Sequence, residues 1–254
     1  MATSGTNDTI DADATAVAGA ALPSTRTPLD RNRIVAAAVS FIDENGLAGL
    51  SMRRLGATLH VEAMSLYRYV PGREDLLDAV VDSIINEMYD DEDILDVPRD
   101  GWQDFLQRLA HGVRRIALAH PLAFPLVASR PPEAPWLRPP LRNLQWVESF
   151  LSGLTSEGFS DEGAVAAYRG FTSFLLGHLL LEVSTHGADI GPLDVLDDES
   201  RENPALVGYP NVRRLSDSLA EDHAAAEFEE ALENLLDRLT MLLSEKAPPP
   251  KVAQ

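Results

Sequence analysis

Residues 29–77 constrain this chain more than any other stretch, because their pattern divides into three short helices and the start of a fourth. Asp30 can cap the first helix. Apolar side chains then recur with a 3.6-residue period, at Ile34, Val35, Ala38, Phe41 and Ile42. Asn45-Gly46 supplies the left-handed residue that ends such a helix. The stretch therefore begins with an amphipathic helix that buries one face.

The next two helices are too short to be stable alone. Ser51 can cap the second helix, which by its pattern is about two turns long. Its inward positions are Met52 or Leu55, and Leu59. A tight turn at His60-Val61 leads into a third helix over 63–69, which Pro71-Gly72 ends. Because isolated helices of this length are unstable in water, both must share a core with the first and fourth helices.

The outer surface of this helix pair carries guanidinium and hydroxyl groups. They belong to Arg53, Arg54, Ser65, Tyr67, Arg68, Tyr69 and Arg73. Such groups, together with the backbone N–H groups at a helix N-terminus, are the usual donors to DNA phosphates. The residues therefore predict a helix-turn-helix that enters a DNA groove.

The charge distribution qualifies this prediction. The whole chain has a net charge of −19. Residues 26–75 hold seven arginines and six acidic residues, a balance of +1, whereas residues 1–25 carry −3 and the remainder −17. The acidic remainder is the main observation against DNA binding, and it disfavours indiscriminate binding in particular.

The rest of the sequence predicts an all-α protein with a three-helix DNA-binding domain and a larger helical domain, to which the family resemblance described below assigns ligand binding and dimerisation. We divide it into a disordered arm (1–26), the helix-turn-helix domain (27–72), the larger domain (73–246) and a tail (247–254). Helical patterns in the larger domain start at Arg73 and include 160–186 and 223–245, whereas 187–211 has no helical pattern. No strand pattern or internal repeat occurs.

Several other classes of protein are disfavoured. The chain has no cysteine, which excludes disulfides and thiolate metal sites and fits a cytoplasmic protein. The first 25 residues lack the basic start of a secretory signal. The apolar run at 171–183 is too short to span a bilayer, so no membrane partner is expected. No cysteine nucleophile, phosphate loop or HExxH motif suggests an enzyme.

The stretch LDRNRIVAAAVSFIDENGLAGLSMRRLGATLHVEAMSLYRYVPGREDLL closely resembles the N-terminal domain of the tetracycline repressor (TetR) family. The segments GWQDFL, SRP, EGFSDEGAVAAY and FEEALENLLDRL resemble the C-terminal domain of the same family. The resemblance implies a homodimer that reads a palindromic double-stranded DNA operator and is released by a small-molecule effector. The alternative is a small-molecule-binding protein with weak or lost DNA binding.

The resemblance also assigns DNA-contacting positions. They are Ser51, Met52, Arg53, Ala63, Met64, Ser65, Tyr67, Tyr69 and Arg73, to which the exposed Arg68 is added. Arg53 is the best candidate for bidentate guanine readout, and Ala63 and Met64 can offer only apolar contact. His60 replaces the glycine that is usual in the turn, and histidine tolerates a positive φ better than most residues.

The ligand positions differ from those of tetracycline binders. The resemblance places Tyr89, Leu109 and Leu126 where a drug–magnesium chelate would need polar ligands, which argues against tetracycline. The candidate lining is apolar and aromatic, with Trp102, Phe105, Val113, Trp136, Trp146, Phe171 and Phe174, and with His111, His178 and Arg130 as polar anchors. Such a lining suits a large, flat, hydrophobic effector. For any single aromatic residue, however, a place in the core is the simpler interpretation.

A metal site is the last alternative. His178, Glu182 and His186 share one helix face, but they extend over about 12 Å of helix rise, so only an adjacent pair could bind one ion. Hydrogen-bonded pocket or interface residues are the better interpretation, and we expect neither metal nor cofactor.

Overall fold

The computed structural model describes residues 28–90, 98–130, 137, 139, 144–190 and 208–244. Over these residues the fold contains helices and no strand, and the all-α prediction is confirmed. The helices are α1 (Arg31–Asn45), α2 (Met52–Thr58), α3 (Ala63–Leu66), α4 (Arg73–Asp90), α5 (Trp102–Ala119), α6 (Phe124–Ser129), α7 (Leu144–Ser156), α8 (Asp161–Thr185), α9 (Pro210–Arg214), α10 (Ser216–Ala220) and α11 (Ala224–Ser244). We call residues 28–72 the head and the helices from α5 onward the body.

Local capping sets the bounds of α1. The Asp30 carboxylate accepts a hydrogen bond from the Arg33 backbone N–H at 2.8 Å, as the sequence predicts. At the other end Gly46 has a φ of 74°, and its N–H donates to the Ile42 carbonyl. A side chain would be strained at this φ, so glycine ends the helix here. A short 3-10 turn over Leu47–Gly49, which the pattern does not reveal, then leads towards α2.

The turn between α2 and α3 depends on close backbone approach. The Ser51 hydroxyl caps α2 by accepting from the Arg54 N–H at 3.3 Å. A Cβ atom at Gly56 would lie 2.9 Å from the Val61 carbonyl oxygen, closer than normal contact. His60 has a φ of 57°, so it takes the left-handed conformation expected from its place in the turn. Gly56 and His60 together let the two helices meet at a sharp angle.

Helix α3 is shorter than predicted. It ends at Leu66 instead of continuing to residue 69, and residues 67–69 form a turn. The Tyr69 N–H donates to the Leu66 carbonyl at 2.9 Å, three residues back instead of four. This tightening carries Val70, which is 1% exposed, into the core. Burial of Val70 thus prevails over one further turn of helix.

Helix α4 joins the head to the body. Its residues Val80, Val81 and Ile84 are fully buried, and one continuous core includes side chains of α1 on one side and of α5 and α6 on the other. Burial of a complete aliphatic side chain contributes about 1.5–3 kcal/mol. The apolar stripe of α4 is therefore shared between the two parts of the molecule.

Helix α8 is the central element of the body. It packs against α5, α6, α7 and α11, and Ser160 caps it through the Gly163 N–H at 3.1 Å. Over the part of the chain that the structure describes, α8 alone is long and apolar enough to cross a membrane by length and composition, with a mean hydropathy of 1.3. One face of α8 is covered within the protein, because the helix buries Phe171, Leu175 and Leu179 against these neighbours.

The structure adds two short helices that the sequence did not predict. Helix α7 is described from Leu144, and the start of its apolar pattern, which the sequence places at Leu141, lies outside the described residues. Helix α9 begins at Pro210, inside the stretch 187–211 for which no helix was predicted, and α10 was not predicted at all. Both are five-residue helices without a buried residue, so they leave no periodic apolar pattern to detect. The arm 1–26 and the tail 247–254 lie outside the described residues as well.

Candidate functional site

The outer face of α2, α3 and the following turn forms a polar and aromatic surface. The exposed members of the predicted DNA-binding set are Arg53, Met64, Tyr67, Arg68, Tyr69 and Arg73. Ser51, Ala63 and Ser65 are half-buried beside them. Met64 is 72% exposed, so a large apolar side chain stands in solvent at the start of α3. Arginine, tyrosine and an apolar side chain are suited to phosphates, to base edges and to the thymine methyl group.

The cations on this surface differ in what they already contact. Within the described ranges, four of the exposed side chains form no hydrogen bond or ion pair, namely those of Arg53, Tyr67, Arg68 and Tyr69. Arg54 instead donates to the Gly49 carbonyl at 3.1 Å and fixes the segment before α2. Arg53 is thus the arginine of this pair that is available to a partner.

Met52 departs from the predicted set. It is 7% exposed and belongs to the core of the head, so its side chain does not face the DNA-binding surface. The reason is its place at the first position of a two-turn helix, where Met52 and Leu55 share the inward face. Position 52 can offer a partner only its backbone N–H, at the N-terminus of α2.

The predicted ligand-binding aromatic residues fall into separate groups. Trp146 and Phe171 pack in one cluster around Phe150, at ring-centroid distances of 5.5 and 5.4 Å. Trp102 lies apart and packs edge-on against Phe159 at 5.2 Å. The apolar side chains of Phe105, Leu109, Val113 and Leu126 are all buried in the continuous core. Tyr89 lies in α4, but its side chain is outside the described residues.

Phe174 and His178 belong to a second group, which also contains Phe228 of α11. The three rings have centroid distances of 5.2–5.8 Å. The His178 Nε2 atom is buried and has no hydrogen-bond partner among the described residues. A buried polar atom without a partner costs free energy unless a ligand or water satisfies it. Phe228 was not predicted, because its position in the apolar seam of α11 marked it only as a packing residue.

Glu182 is committed to an ion pair. The Arg114 guanidinium donates to both of its carboxylate oxygens, at 3.1 and 2.5 Å, and the Glu182 side chain is only 4% exposed. The hydrogen bond to Glu182 raises the pKa of Arg114 despite the opposing effect of burial. Because both of its oxygens accept hydrogen bonds from Arg114, Glu182 is not available to bind a metal ion together with His178 or His186. The described ranges contain no group of three metal-ligating side chains.

Arg130 does not act as a polar anchor inside the body. Its Nε atom donates to Asp78 at 2.6 Å, and its two terminal nitrogens donate to the Glu74 carboxylate and carbonyl, both at 2.9 Å. Burial lowers the pKa of Arg130, but the hydrogen bonds to these two residues raise it overall. The residue caps the C-terminus of α6 and holds the first two turns of α4.

His120 makes a second contact at the junction of head and body, and sequence reasoning missed it. The residue caps the C-terminus of α5, with Nδ1 2.8 Å from Asp43 of α1 and Nε2 3.1 Å from Glu87 of α4. Burial lowers the pKa of His120, while hydrogen bonds to both carboxylates, and their charges, raise it above the ordinary value of 6.5. Its position just before Pro121, where the fifth helix had to end, was the one available signal.

A cavity of about 440 Å³ lies at the same junction. It opens to solvent and is lined by Asn45, Gly46, Leu47, Ala48, Arg73, Leu122, Pro125, Gly187 and Asp189. These residues come from the end of α1, the start of α4, α6 with the turn before it, and the segment after α8. The head and the body are therefore incompletely packed against each other here.

These features define a helix-turn-helix DNA-binding protein with a separate helical body. Residues 34–80 match the family described as "Bacterial regulatory proteins, tetR family", and residues 96–242 match "Tetracyclin repressor-like, C-terminal domain". The chain belongs to the TetR family of ligand-responsive transcriptional regulators, and the family resemblance seen in the sequence is confirmed.

Individual relatives agree with this assignment. An HTH-type transcriptional regulator of Saccharopolyspora erythraea is 30% identical over 192 residues, which cover 72% of this chain and 76% of the relative. A possible TetR family regulator from Streptomyces coelicolor A3(2) has a crystal structure with a TM-score of 0.68 and 30% identity, over 84% of this chain and 100% of that one. The Streptomyces coelicolor protein ActR in complex with actinorhodin has a TM-score of 0.65 and 26% identity, over 87% of this chain and 100% of that one.

Proposed function

We propose that this regulator represses transcription as a homodimer on a palindromic operator, and that a flat, largely apolar effector releases it. The observation that carries the proposal is the exposed surface of Arg53, Met64, Tyr67 and Tyr69 on the helix-turn-helix. These side chains have no described partner within the head, whereas the neighbouring polar groups are engaged in capping. A dimer would place two such heads in successive major grooves, with centres about 34–36 Å apart.

The apolar surface of the last helices supports dimerisation. Val165 and Leu181 of α8 are 40% and 62% exposed, and Met241 of α11 is 66% exposed. Helices α8 and α11 pack against each other, so a second copy of the same pair would complete a four-helix bundle. Sedimentation equilibrium on the full chain tests this: a mass of one chain at micromolar concentration would contradict it, and Leu181→Glu is expected to weaken association.

The group of Phe174, His178 and Phe228 supports an aromatic effector. Its rings can stack on a flat ligand, and the buried Nε2 atom of His178 can bond a hydroxyl or carbonyl group. ActR, which has a similar fold, is seen in complex with actinorhodin, and we propose that this chain also binds a small-molecule effector in its body. No cofactor, metal or catalytic step is required, and we expect the protein to act in the cytoplasm where the operator is.

Selection from a random duplex pool at about 100–150 mM salt tests the DNA-binding function, because nonspecific binding is weak there. The expected result is an enriched palindrome with two half-sites one helical turn apart. The selected duplex then serves for titrations with actinorhodin and other polycyclic aromatic compounds. No enriched sequence, with or without these compounds, would favour a ligand-binding protein that has lost DNA binding.

A further inference from the structure

His120 occupies the point where the head, α4 and the body meet. It is the C-cap of α5, its side chain is 15% exposed, and each ring nitrogen faces a different carboxylate. Asp43 belongs to α1 in the head, and Glu87 lies in the last turn of α4. Among the residues that the structure describes, Asp43 and Glu87 are the charged groups that contact the imidazole.

The number of protons on the imidazole decides how many of these bonds can form. A neutral imidazole carries one N–H and can donate to one carboxylate, whereas an imidazolium donates to both. The second oxygen of Asp43 is buried and has no partner among the residues that the structure describes, so His120 supplies the described hydrogen bond to this carboxylate. Loss of the proton would leave one of the two carboxylates without its donor in a partly buried site.

The contacts of His120 help to hold the head, because packing around them is incomplete. The open cavity of about 440 Å³ is lined by Asn45, two residues after Asp43, and by Leu122, two residues after His120. Side-chain packing therefore does not fix the head at this point. Arg130, the C-cap of α6, also holds α4, and an arginine keeps its charge at all working pH values. The contact through His120 differs from it, because an imidazole can lose its charge near neutral pH.

We propose that His120 is a proton-dependent latch that fixes the head against the body in the arrangement able to bind an operator. The consequence for DNA rests on the proposed function, whereas the latch itself does not. With the proton bound, α1, α4 and α5 are tied at one point. Without it, the head samples further orientations, and a dimer whose heads are competent for only part of the time binds more weakly in proportion.

The sign of the pH dependence follows from the direction of the pKa shift. The pKa of His120 is raised in the folded protein, so the latch is complete below the ordinary value of 6.5 and is lost as the pH rises through the raised value. Operator affinity is therefore expected to fall between about pH 6.5 and pH 9, by roughly threefold to tenfold if most of the heads become free.

Two measurements on the full chain without DNA test the latch itself. The first is a titration of the histidine side chains by NMR, with His120 assigned from the signal that His120→Gln removes. A pKa above 6.5 that falls in Asp43→Asn and in Glu87→Gln is the expected result. The second is hydrogen exchange of the amides of α1, which is expected to become faster at high pH, beyond the intrinsic dependence of exchange, in the wild type but not in His120→Gln.

Operator affinity from pH 6 to pH 9 then tests the consequence. The operator affinity of the wild type is expected to fall with rising pH. The affinity of His120→Gln is expected to be lower than that of the wild type at pH 6 and to change little between pH 6 and pH 9. His223→Gln is the matched control, because His223 also pairs with a carboxylate, Glu221 at 2.9 Å, but in the body; it should follow the wild type. His60 in the head is present in all three proteins, so any contribution from it cancels in the comparison.

The outcomes separate the two proposals. A His120 pKa at or below 6.5, or identical exchange in wild type and His120→Gln, overturns the latch. Identical pH profiles of operator affinity, or affinity that rises with pH in the wild type alone, overturn its role in DNA binding. If no duplex is ever selected, the proposed function fails, yet the NMR and exchange data still decide whether the latch exists.

Discussion

Arg114 of α5 and Glu182 of α8 form a two-point ion pair inside the body, with the Arg114 guanidinium also 5.3 Å from the centre of the Phe228 ring. The pair therefore joins three helices, and each partner would be left with an uncompensated charge if the other were removed. Its position, one turn from His178 on α8, places it beside the proposed effector site.

We expect Glu182→Leu alone to lower the free energy of unfolding by about 1–3 kcal/mol, because it removes the carboxylate that both Arg114 nitrogens bond in a partly buried site. The double variant Arg114→Met with Glu182→Leu is expected to recover most of this loss, since an apolar pair needs no desolvation of charges. Urea denaturation of the wild type, both single variants and the double variant measures the coupling. Strictly additive losses would show that the pair is not a unit.

Gly56→Ala is expected to disrupt the helix-turn-helix. The added Cβ would lie 2.9 Å from the Val61 carbonyl oxygen and 3.2 Å from the Ala63 nitrogen, and backbone atoms cannot move aside cheaply. We expect a loss of about 1–3 kcal/mol together with weaker operator binding. Gly170→Ala is the control: it lies within α8, its Cβ would make an ordinary contact of 3.8 Å with Leu235, and helix propensity favours alanine by about 0.5–1 kcal/mol. Equal thermal stability of the two variants would contradict this account.

Arg53→Ala is expected to weaken binding to the selected operator by about 1–3 kcal/mol and to relax the preference at one base pair of each half-site. The side chain is exposed and has no described partner, so its removal should leave the free energy of unfolding unchanged. Arg213→Ala removes the same charge from the surface of α9 and serves as the control for net charge. Titrations at two salt concentrations distinguish base readout from a loss that is uniform over all sequences.

Tyr168 provides a pH prediction in the alkaline range. Its hydroxyl donates to the Pro139 carbonyl at 2.9 Å, and burial raises the pKa of Tyr168 to about 12. Between pH 10 and pH 12 the folded state then holds a proton that the unfolded state has lost, so stability falls as the pH rises through this window. Ultraviolet titration of the folded protein should show one tyrosine that ionises near pH 12, and this transition should be absent in Tyr168→Phe. A single transition near pH 10 for all tyrosines of the folded protein would contradict it.

The head could be predicted from the sequence in nearly every particular, because local rules determine it. Asp30, Ser51 and Gly46 act as caps and stop by contacts within four residues, and the periodic apolar face of α1 identifies its own core. The differences there are equally local. Met52, which the sequence names both as an inward position and as a DNA contact, packs inward. Helix α3 ends early, and Val70 is buried.

The body could be predicted only as a set of helices. The sequence analysis names Arg130 as a polar anchor of the effector site, yet the residues that its side chain bonds, Glu74 and Asp78, lie more than fifty residues away along the chain. The same distance hides the bond between His120 and Asp43, and that between Arg114 and Glu182. Pairings of this kind depend on helix packing, which the amphipathic pattern of one helix does not encode.

The shared stripe of α4 makes the two parts of the molecule one thermodynamic unit. Val80, Val81 and Ile84 lose their cover on one side if either the head or the body unfolds, so neither part can melt without exposing the core of the other. A substitution anywhere in the body that lowers stability therefore also lowers the fraction of chains with a folded head. Reduced repression by a body variant is then no evidence of an effector site until the free energy of unfolding of that variant has been measured.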